Sequence, residues 1–413
     1  MQVKAIVLAA ALSIGPSLLR AQFDFRIDGR DVQVHSFASQ GFMYSNNNNY
    51  LTMDTSNGSL ALTDFGVNVS TAITDKFRVG AQLYDYNMGL LGNFHPQLDW
   101  GYGDYRFKDW LGIRAGKVKT VQGLSHDVQD MEFLHTWALM PQSVYPIDTR
   151  GDTIAHIGAD LYGDFSVKKA GSFSYTLFGG KRPNDADGGY LYGVDTMSHV
   201  PAPQGGFMYI TAQTKDVTYY GGPVYGADLH WTTPVKGLLL GASYMVQDIT
   251  TTGTYTKPVV VPYKLTTVTD NATNFYVEYV LRNLRFAGEY RSEPKIVQLN
   301  EPNGVLVQGF QDSRSGYVSL SYRFTKWLEL GSYHSRYVDN WPVTHSDPRN
   351  HIFDQVFTAR FDIDRYVDFK IEGHFIDGAC IDGVLDHGFY AAPNPNGLAP
   401  KMHMLVMRVG YHM

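Results

Sequence analysis

The sequence of 413 residues contains a single cysteine, Cys380, so no disulfide bond can form within the chain. Beyond the first 22 residues it has no run of eighteen apolar residues, which excludes a transmembrane helix there. It has no long basic tract and its formal net charge is −6, which argues against nucleic acid as a partner. The fold must therefore be held by backbone hydrogen bonds and packing.

Motifs that would indicate an enzyme are also missing. The sequence has no Gly-x-Ser-x-Gly elbow, no phosphate-binding glycine loop and no dinucleotide-binding fingerprint. No histidine pair has the HExxH spacing and no Cys/His set has the spacing of a zinc site. We therefore predict neither catalysis, nor a cofactor, nor a metal. The alternative is an exported β-sheet glycosidase, or a lipase that uses His35–Ser36 or His345–Ser346.

The first 21 residues have the pattern of a secretory signal peptide. Lys4 gives a basic start, residues 5–12 are apolar, and the small residue Ala21 precedes the expected cleavage site. A helical membrane anchor is the alternative, although the apolar run is too short to cross a bilayer. Since the segment carries Lys4 and Arg20 and no acid, its removal would change the formal charge from −6 to −8.

Residues 22–413 are dominated by alternation of apolar and polar residues at period two, which is typical of β-strands. Two kinds of connection alternate along the chain between these segments. Seven are short and polar, at 73–76, 107–110, 167–171, 234–237, 281–283, 324–327 and 362–365. Eight are longer, near 45–58, 90–96, 120–152, 182–222, 251–264, 295–311, 339–350 and 379–398. Seven turns and eight loops in strict alternation join sixteen strands.

The alternation assigns a face to each side chain. In 77–84 the apolar Phe77 and Leu83 oppose Arg78 and Gln82, and the same parity recurs in 284–291, 317–324 and 367–375. In a soluble β-sandwich, which is the alternative, the charged face would be outermost. The export signal, the even strand number and the difference in loop length favour the reverse arrangement, with apolar side chains facing lipid. The mean hydropathy of −0.22 agrees, because only alternate residues then meet lipid.

Three segments carry a resemblance to a known family. Residues 34–42 (VHSFASQGF), 98–119 (with LDWGYGDYRF and LGIRAGKVK) and 139–146 (LMPQSVYP) resemble an uncharacterised family of Gram-negative porins. The match is strongest over 30–150. The resemblance implies an all-β fold: a single 16-stranded antiparallel transmembrane β-barrel in the bacterial outer membrane, with short periplasmic turns and long extracellular loops. It also implies a homotrimer in contact with lipid and lipopolysaccharide. One departure is the C-terminus, Tyr411–His412–Met413, which ends on an apolar residue rather than an aromatic one.

The loop 120–152 follows the fifth predicted strand, where the loop of porins folds inward and narrows the pore. It contains six large apolar residues that could pack against the wall, and the acids Asp127, Asp130 and Glu132. Arg78, Arg106 and Arg114 lie on neighbouring strands and face the lumen. The hypothesis is a constriction in which acids on the loop oppose arginines on the wall and select by charge and size. The alternative is that these arginines pair with wall acids such as Asp104.

The remaining inward positions predict a water-filled lumen of mixed charge. Its lining is expected to include Arg285, Glu289, Arg323, Arg360, Asp368, Lys370 and Glu372. The predicted function is passive diffusion of small hydrophilic solutes or ions. The alternative is a barrel without an open channel that binds or anchors through its loops, for which loop 182–222 supplies Tyr190, Tyr192, Tyr219 and Tyr220. The acids of 184–189 resemble the start of a calcium loop, but the bidentate acid that should follow is not clearly placed, so a solvated turn is the favoured interpretation.

Overall fold

The computed structural model describes residues 23–27, 29–196, 214–255, 260–342, 347–380, 387–390 and 392–413. The predicted signal peptide and parts of the predicted loops 182–222, 251–264, 339–350 and 379–398 lie outside these residues. Within them, the strands are β1 Phe23–Ile27, β2 Arg30–Ser45, β3 Thr63–Ala72, β4 Phe77–Asn87, β5 Gln97–Lys108, β6 Leu111–Lys119, β7 Ala155–Val167, β8 Gly171–Lys181, β9 Thr214–Gly221, β10 Pro223–Thr232, β11 Leu238–Tyr255, β12 Val261–Leu281, β13 Leu284–Glu301, β14 Gly304–Arg323, β15 Leu328–Val338, β16 His351–Asp362, β17 Val367–Asp377 and β18 Lys401–His412. Two short helices are α1 Arg150–Thr153 and α2 Gly189–Thr196. No helix in the described ranges is long and apolar enough to span a bilayer.

Sixteen of these strands form one closed antiparallel barrel, as the sequence predicted. Each strand from β2 to β8 pairs with the next, β8 pairs directly with β10, and the pairing continues to β18. β18 then pairs with β2, from Met404 opposite Ser45 to His412 opposite Phe37, which closes the sheet. The other two strands lie outside the ring: β1 folds back on the start of β2, and β9 pairs with the end of β11. Closure leaves no open edge around the ring, which a barrel in lipid requires.

The predicted faces are confirmed along the strands. Leu83, Phe275 and Phe357 are exposed on the outer surface, whereas the inward neighbours Gln82 and Asn274 are buried. The outer surface of the barrel therefore carries an apolar band and the interior carries the polar and charged side chains. This arrangement is that of a transmembrane barrel, since lipid is the only solvent that suits such an exterior.

The seven short turns occur where the sequence placed them, all at one rim. Two of them depend on glycine: Gly171 and Gly237 have φ of +92° and +83°. A Cβ atom at Gly171 would lie 2.2 Å from the carbonyl oxygen of Thr232, and one at Gly237 would lie 2.0 Å from that of Val280. A side chain at either turn would therefore meet both a strained backbone and a steric clash.

Two of the predicted long loops are wrong. Most of 251–264 and 295–311 is strand, because β11 to β14 have 18 to 21 residues each and run beyond the ring. A membrane requires roughly 9–11 residues per strand, so these two hairpins rise roughly 25–30 Å above the band at about 3.3 Å per residue. Within 295–311, Pro302 and Asn303 alone lie between the two strands, at the tip of the β13–β14 hairpin.

Candidate functional site

The long connection between β6 and β7, residues 120–154, runs across the interior of the barrel and is hereafter called the inserted loop. Its first part is anchored on one side of the wall. The backbone N–H of Gly123 donates to Ser243 Oγ on β11 at 3.0 Å, and that of Leu124 donates to Glu289 Oε2 on β13 at 3.2 Å. Glu289 also accepts from the hydroxyl of Tyr145, further along the loop. These contacts hold the first part of the loop against β11 and β13.

The middle of the inserted loop is anchored further round the wall, on β16 and β17. Glu372 on β17 accepts from the backbone N–H groups of Ala138 and Leu139 at 2.7 and 3.0 Å. Arg360 on β16 donates to the carbonyls of Phe133 and His135 at 2.8 and 2.6 Å. A loop inside a barrel has no sheet to satisfy its backbone, so charged wall residues supply the missing partners. This explains why several inward charges are buried rather than exposed to a wide channel.

Two of the three loop acids form buried contacts with cations of the wall. Glu132 contacts Lys370, whose side chain is fully buried, and Asp130 lies 2.9 Å from Lys119 Nζ. Burial alone would raise the pKa of Asp130, but the charges of Lys119 and Arg150 and the hydrogen bonds from Lys119 and Gln82 together outweigh it, so the pKa lies below its usual value. The same balance, with Lys370 as the cation, lowers the pKa of Glu132. The third acid, Asp127, is exposed.

The arginines selected from the sequence lie elsewhere on the wall. Arg106 lies 3.0 Å from Asp164, and Arg114 lies 3.8 Å from Asp104 with its guanidinium 4.1 Å from the ring centre of Tyr162. Arg78 is opposite Asp104 in the strand register and is exposed. All three lie toward the short-turn rim. In the ion pairs and hydrogen bonds of the described residues, none of them contacts the three loop acids.

The other inward charges form a ladder of ion pairs along the wall from β12 to β17. Arg360 is central to it, 2.7 Å from Asp362 and 3.8 Å from Asp368. The remaining pairs are Arg285–Glu278 at 2.7 Å, Arg323–Glu329 at 2.7 Å, Arg323–Asp362 and Lys370–Asp368 at 3.6 Å. Every residue predicted to line the lumen is thus on the inward face, and most of them are paired.

Sequence reasoning missed two arginines, one on the wall beside the inserted loop and one within the loop. Arg408 on β18 lies 2.6 Å from Asp64 and donates to the carbonyl of Ala138 at 2.9 Å. Arg150, in α1, lies 2.6 Å from Asp99. Arg408 could have been predicted, because the alternation of apolar and polar residues in the last strand assigns it to the inward face. Arg150 could not, because a loop has no parity that assigns its side chains to a face.

Two small cavities border the inserted loop among the described residues. One cavity of about 30 Å³ lies between the loop and the walls at Asp64 and Arg408, and another of about 20 Å³ lies toward Arg285. Each has room for one or two water molecules. Both are lined by His135, Trp137 and Met140, so this stretch of the loop separates them.

Apolar packing fills part of the interior on the long-loop side. The cluster includes inward residues of the strands next to the closure and residues of four connections, which are Phe37, Met43, Leu51, Met53, Leu62, Tyr84, Met88, Leu139, Phe389, Leu398, Met404 and Val406. Polar lumen residues alone would not exclude water from this region. The apolar cluster, together with the inserted loop, therefore makes the interior narrow.

The acids of 184–189 do not form a calcium loop in the structure. Asp185 is buried, where it accepts from the hydroxyl of Tyr86 at 2.9 Å, and its backbone N–H donates to Asp152 at 2.8 Å. The described residues contain no group of three His, Cys, Asp or Glu side chains that could hold a metal ion. Asp185 thus connects α1 to the wall at β4.

Comparison with known proteins identifies the fold. No family model and no curated protein sequence matches the chain. Solved structures do: OmpT of Vibrio cholerae is 10% identical with a TM-score of 0.56, over 95% of this chain and 100% of that one. The anion-selective porin from Comamonas acidovorans is 11% identical with a TM-score of 0.52, over 93% and 100%. OmpF of Salmonella typhi is 10% identical with a TM-score of 0.53, over 95% and 100%. The chain has the porin fold of Gram-negative outer-membrane barrels.

Proposed function

We propose that the chain is an outer-membrane porin that allows passive diffusion of small hydrophilic solutes or ions. The observation that carries this proposal is the inserted loop, which lies inside a closed barrel and is fixed by charged side chains of β6, β13, β16 and β17. A barrel built only as an anchor has no need of a polar interior or of a loop held across it. A loop held inside the barrel narrows the path for solutes, so we expect a low conductance.

The constriction hypothesis remains part of this proposal. Asp127, Asp130 and Glu132 would act on the loop, with Arg78, Arg106, Arg114 and Asp104 on the wall toward the short-turn rim. Charges on a narrow path select ions by sign. We expect the triple variant R78Q/R106Q/R114Q to shift selectivity toward cations, measured from reversal potentials in a salt gradient. Unchanged selectivity and conductance would show that these arginines do not face the path.

Contacts with lipopolysaccharide and assembly into a trimer complete the proposal. The apolar outer band supports the first, since it must be solvated by lipid. A structure of the Vibrio cholerae OmpT described as a trimer form, 9% identical with a TM-score of 0.54, supports the second. Chemical cross-linking of the purified protein in detergent tests the assembly.

The decisive experiment is conductance of the mature, detergent-refolded chain in a planar bilayer. We expect small stepwise openings. Replacing residues 126–140 with a short Gly-Ser linker should increase the size of each step several-fold, because it removes the segment that separates the two cavities. A matched control replaces the short turn 168–170, which lies at the rim, and should leave the step size unchanged. A folded barrel that never conducts, with or without the loop, would contradict the proposal.

A binding or anchoring role without an open channel is the second candidate, and two observations favour it. The apolar cluster packs part of the interior, and the tall hairpins expose Phe310, Val305 and Ile296 above the membrane band. Of the loop tyrosines, Tyr219 is exposed, whereas Tyr190 is buried. If the variant with the replaced loop conducts and the intact chain does not, the inserted loop blocks the channel in the native protein. That result would support the binding or anchoring role.

A further inference from the structure

Two arginines inside the barrel have no carboxylate partner among the described residues. Arg291 lies on the inward face of β13, one inward position above Glu289 and thus on the long-loop side of the inserted loop. It is 9% exposed, and neither its Nε nor its Nη2 has a hydrogen-bond partner. A buried guanidinium with two unused donors carries a large desolvation penalty unless an anion offsets it.

The second arginine, Arg182, directly follows β8 and is also buried. It donates to Gln247 Oε1 at 3.1 Å and to the carbonyl oxygen of Thr153 at 3.0 Å, and it lies 3.0 Å from Met245 Sδ. All of these partners are neutral. The hydrogen bonds fix the guanidinium in place but do not compensate its charge.

Further unused hydrogen-bonding groups lie near Arg291. Gln122 Nε2, His126 Nδ1 and Ser313 Oγ have no partner. Gln122 precedes Gly123, which lies against the side chain of Asn274, the cross-strand neighbour of Arg291. Ser313 on β14 is opposite Glu293, the next inward residue of β13 after Arg291, and Ser315 is opposite Arg291 itself. The start of the inserted loop and the β13–β14 wall thus bring several donors to one place.

His126 provides an independent sign that both arginines lie close to this place. Burial lowers the pKa of His126, and the charges of Arg291 and Arg182 lower it further, to about 3. The imidazole is therefore neutral at physiological pH and adds no positive charge. Its unused Nδ1 can serve as a donor in the appropriate tautomer.

The nearby acids leave the positive charge largely uncompensated. Glu293 is within electrostatic reach of Arg182, but it forms no ion pair with either arginine in the described residues. Glu289 is occupied by Leu124, Tyr145, Asn274 and Tyr317. Burial and the neighbouring Asp185 raise the pKa of Asp152 well above its usual value, which favours its neutral form.

We propose that Arg291 and Arg182, with Gln122, His126 and Ser313, form a binding site for a small oxyanion on the long-loop side of the inserted loop. The class includes inorganic phosphate, sulfate and small carboxylates, because paired N–H donors of guanidinium groups match their oxygen geometry. This inference rests on the proposed porin function and adds the class of solute. The site would bind anions before they reach the constriction, so the solute that passes would be an anion.

The test measures binding separately from conduction. Isothermal titration calorimetry on the full, detergent-refolded chain at constant ionic strength uses inorganic phosphate, sulfate and succinate as probes, with chloride as the reference. We expect phosphate or sulfate to bind, R291Q to weaken that binding at least ten-fold, and R291K to restore part of it. R314Q is the matched control, since Arg314 lies at the same height on β14, on the outer face, and pairs with Asp312 at 2.8 Å.

Folding of each variant is checked by its heat-modifiable mobility on a gel. If R291Q does not fold, Q122A replaces it, which removes a neutral donor and should weaken binding a few-fold. Equal affinities in wild type, R291Q and R314Q, or no preference for any of the oxyanions over chloride, would overturn the site. Bilayer recordings separate the two proposals: a chain that binds phosphate but never conducts keeps the site and loses the porin function. A chain that conducts but does not bind loses only the site.

Discussion

Two regions of the barrel interior bury arginine and lysine side chains in opposite ways. Around the middle of the inserted loop, Lys370, Arg360 and Arg408 each lie beside a carboxylate and also donate to backbone carbonyls of the loop. At the start of the loop, Arg182 and Arg291 have no such carboxylate in the described part of the chain. The first region is complete without a ligand, and its charges hold the loop in place. The second leaves charge and donors unused, which is what a binding site for an anion requires.

The largest effect is expected from breaking the first region. In E132Q the fully buried Lys370 would lose its closest carboxylate and keep only Asp368, at 3.6 Å. Leaving one partner of a buried ion pair uncompensated should lower the free energy of unfolding by about 3 kcal/mol. Urea unfolding in detergent micelles measures this, and the conductance should rise as the loop loosens.

Two controls sharpen that result. D127N changes an exposed acid of the same loop and should alter the stability by less than about 0.5 kcal/mol. In the double variant E132L/K370M no charge is left unpaired, so it should be more stable than E132Q. A double variant that is less stable than E132Q would mean that the pair itself, rather than its desolvation, dominates the stability.

The next effect concerns the contact between the loop and β15. A Cβ atom at Gly331 would lie 2.8 Å from the indole of Trp137, which also packs against Tyr333 with ring centres 5.0 Å apart. We expect G331A to cost about 2 kcal/mol through overpacking, measured by urea unfolding. G309A on β14 is the matched control, since nothing lies within 4 Å of its Cβ position. Equal stability of both variants would mean that the loop adapts freely.

A pH effect follows from the buried histidine in the same loop. Burial lowers the pKa of His135 to about 4, whereas unfolded histidine has a pKa of about 6.5. The unfolded chain therefore takes up a proton as the pH falls below 6.5, so stability is full above that pH and decreases toward pH 4. Between pH 7 and 5 the loss should be about 1–2 kcal/mol. H135Q should flatten this slope in urea unfolding, and H403Q, on the outer face, should not.

The smallest effect is expected at the rim. Arg106 and Asp164 are 3.0 Å apart, but their side chains are 44% and 53% exposed. Water screens such a pair, so R106Q should change the free energy of unfolding by less than about 1 kcal/mol. A loss as large as that of E132Q would remove the distinction between buried and exposed pairs. Thermal and urea unfolding in detergent provide the measurement.

The fold could be predicted from the sequence because lipid enforces parity. A shift of Arg78 or Lys370 by one residue would place its charge on the face that contacts lipid. The alternation of apolar and polar residues is therefore strict, and the turns that interrupt it are easy to recognise. The length of β11 to β14 could not be predicted in this way. Above the membrane both faces meet water, parity relaxes, and segments such as 295–301 resemble loops.

The candidate site was predictable only in part. The inserted loop and its acids were visible as a long connection with unusual apolar content. Their partners were not. Glu132 contacts Lys370, 238 residues further along the chain, and such a contact follows from the closure of the ring rather than from local sequence. Asp130 pairs with Lys119 at the end of β6, but a loop has no parity that assigns its side chains to a partner. Arg182 and Arg291 were equally hidden, since an unused donor is a property of the assembled interior.

The closure between β18 and β2 has a consequence for how the protein is made. His403 bonds to Asn46, which is 357 residues away in sequence. Until the final strand arrives, the growing sheet has two unsatisfied edges that lipid cannot solvate. Contacts of such sequence separation form slowly, so the incomplete chain must be kept from aggregating until it is whole. We therefore expect insertion into the membrane to be an all-or-none event that requires both the first and the last strand of the barrel.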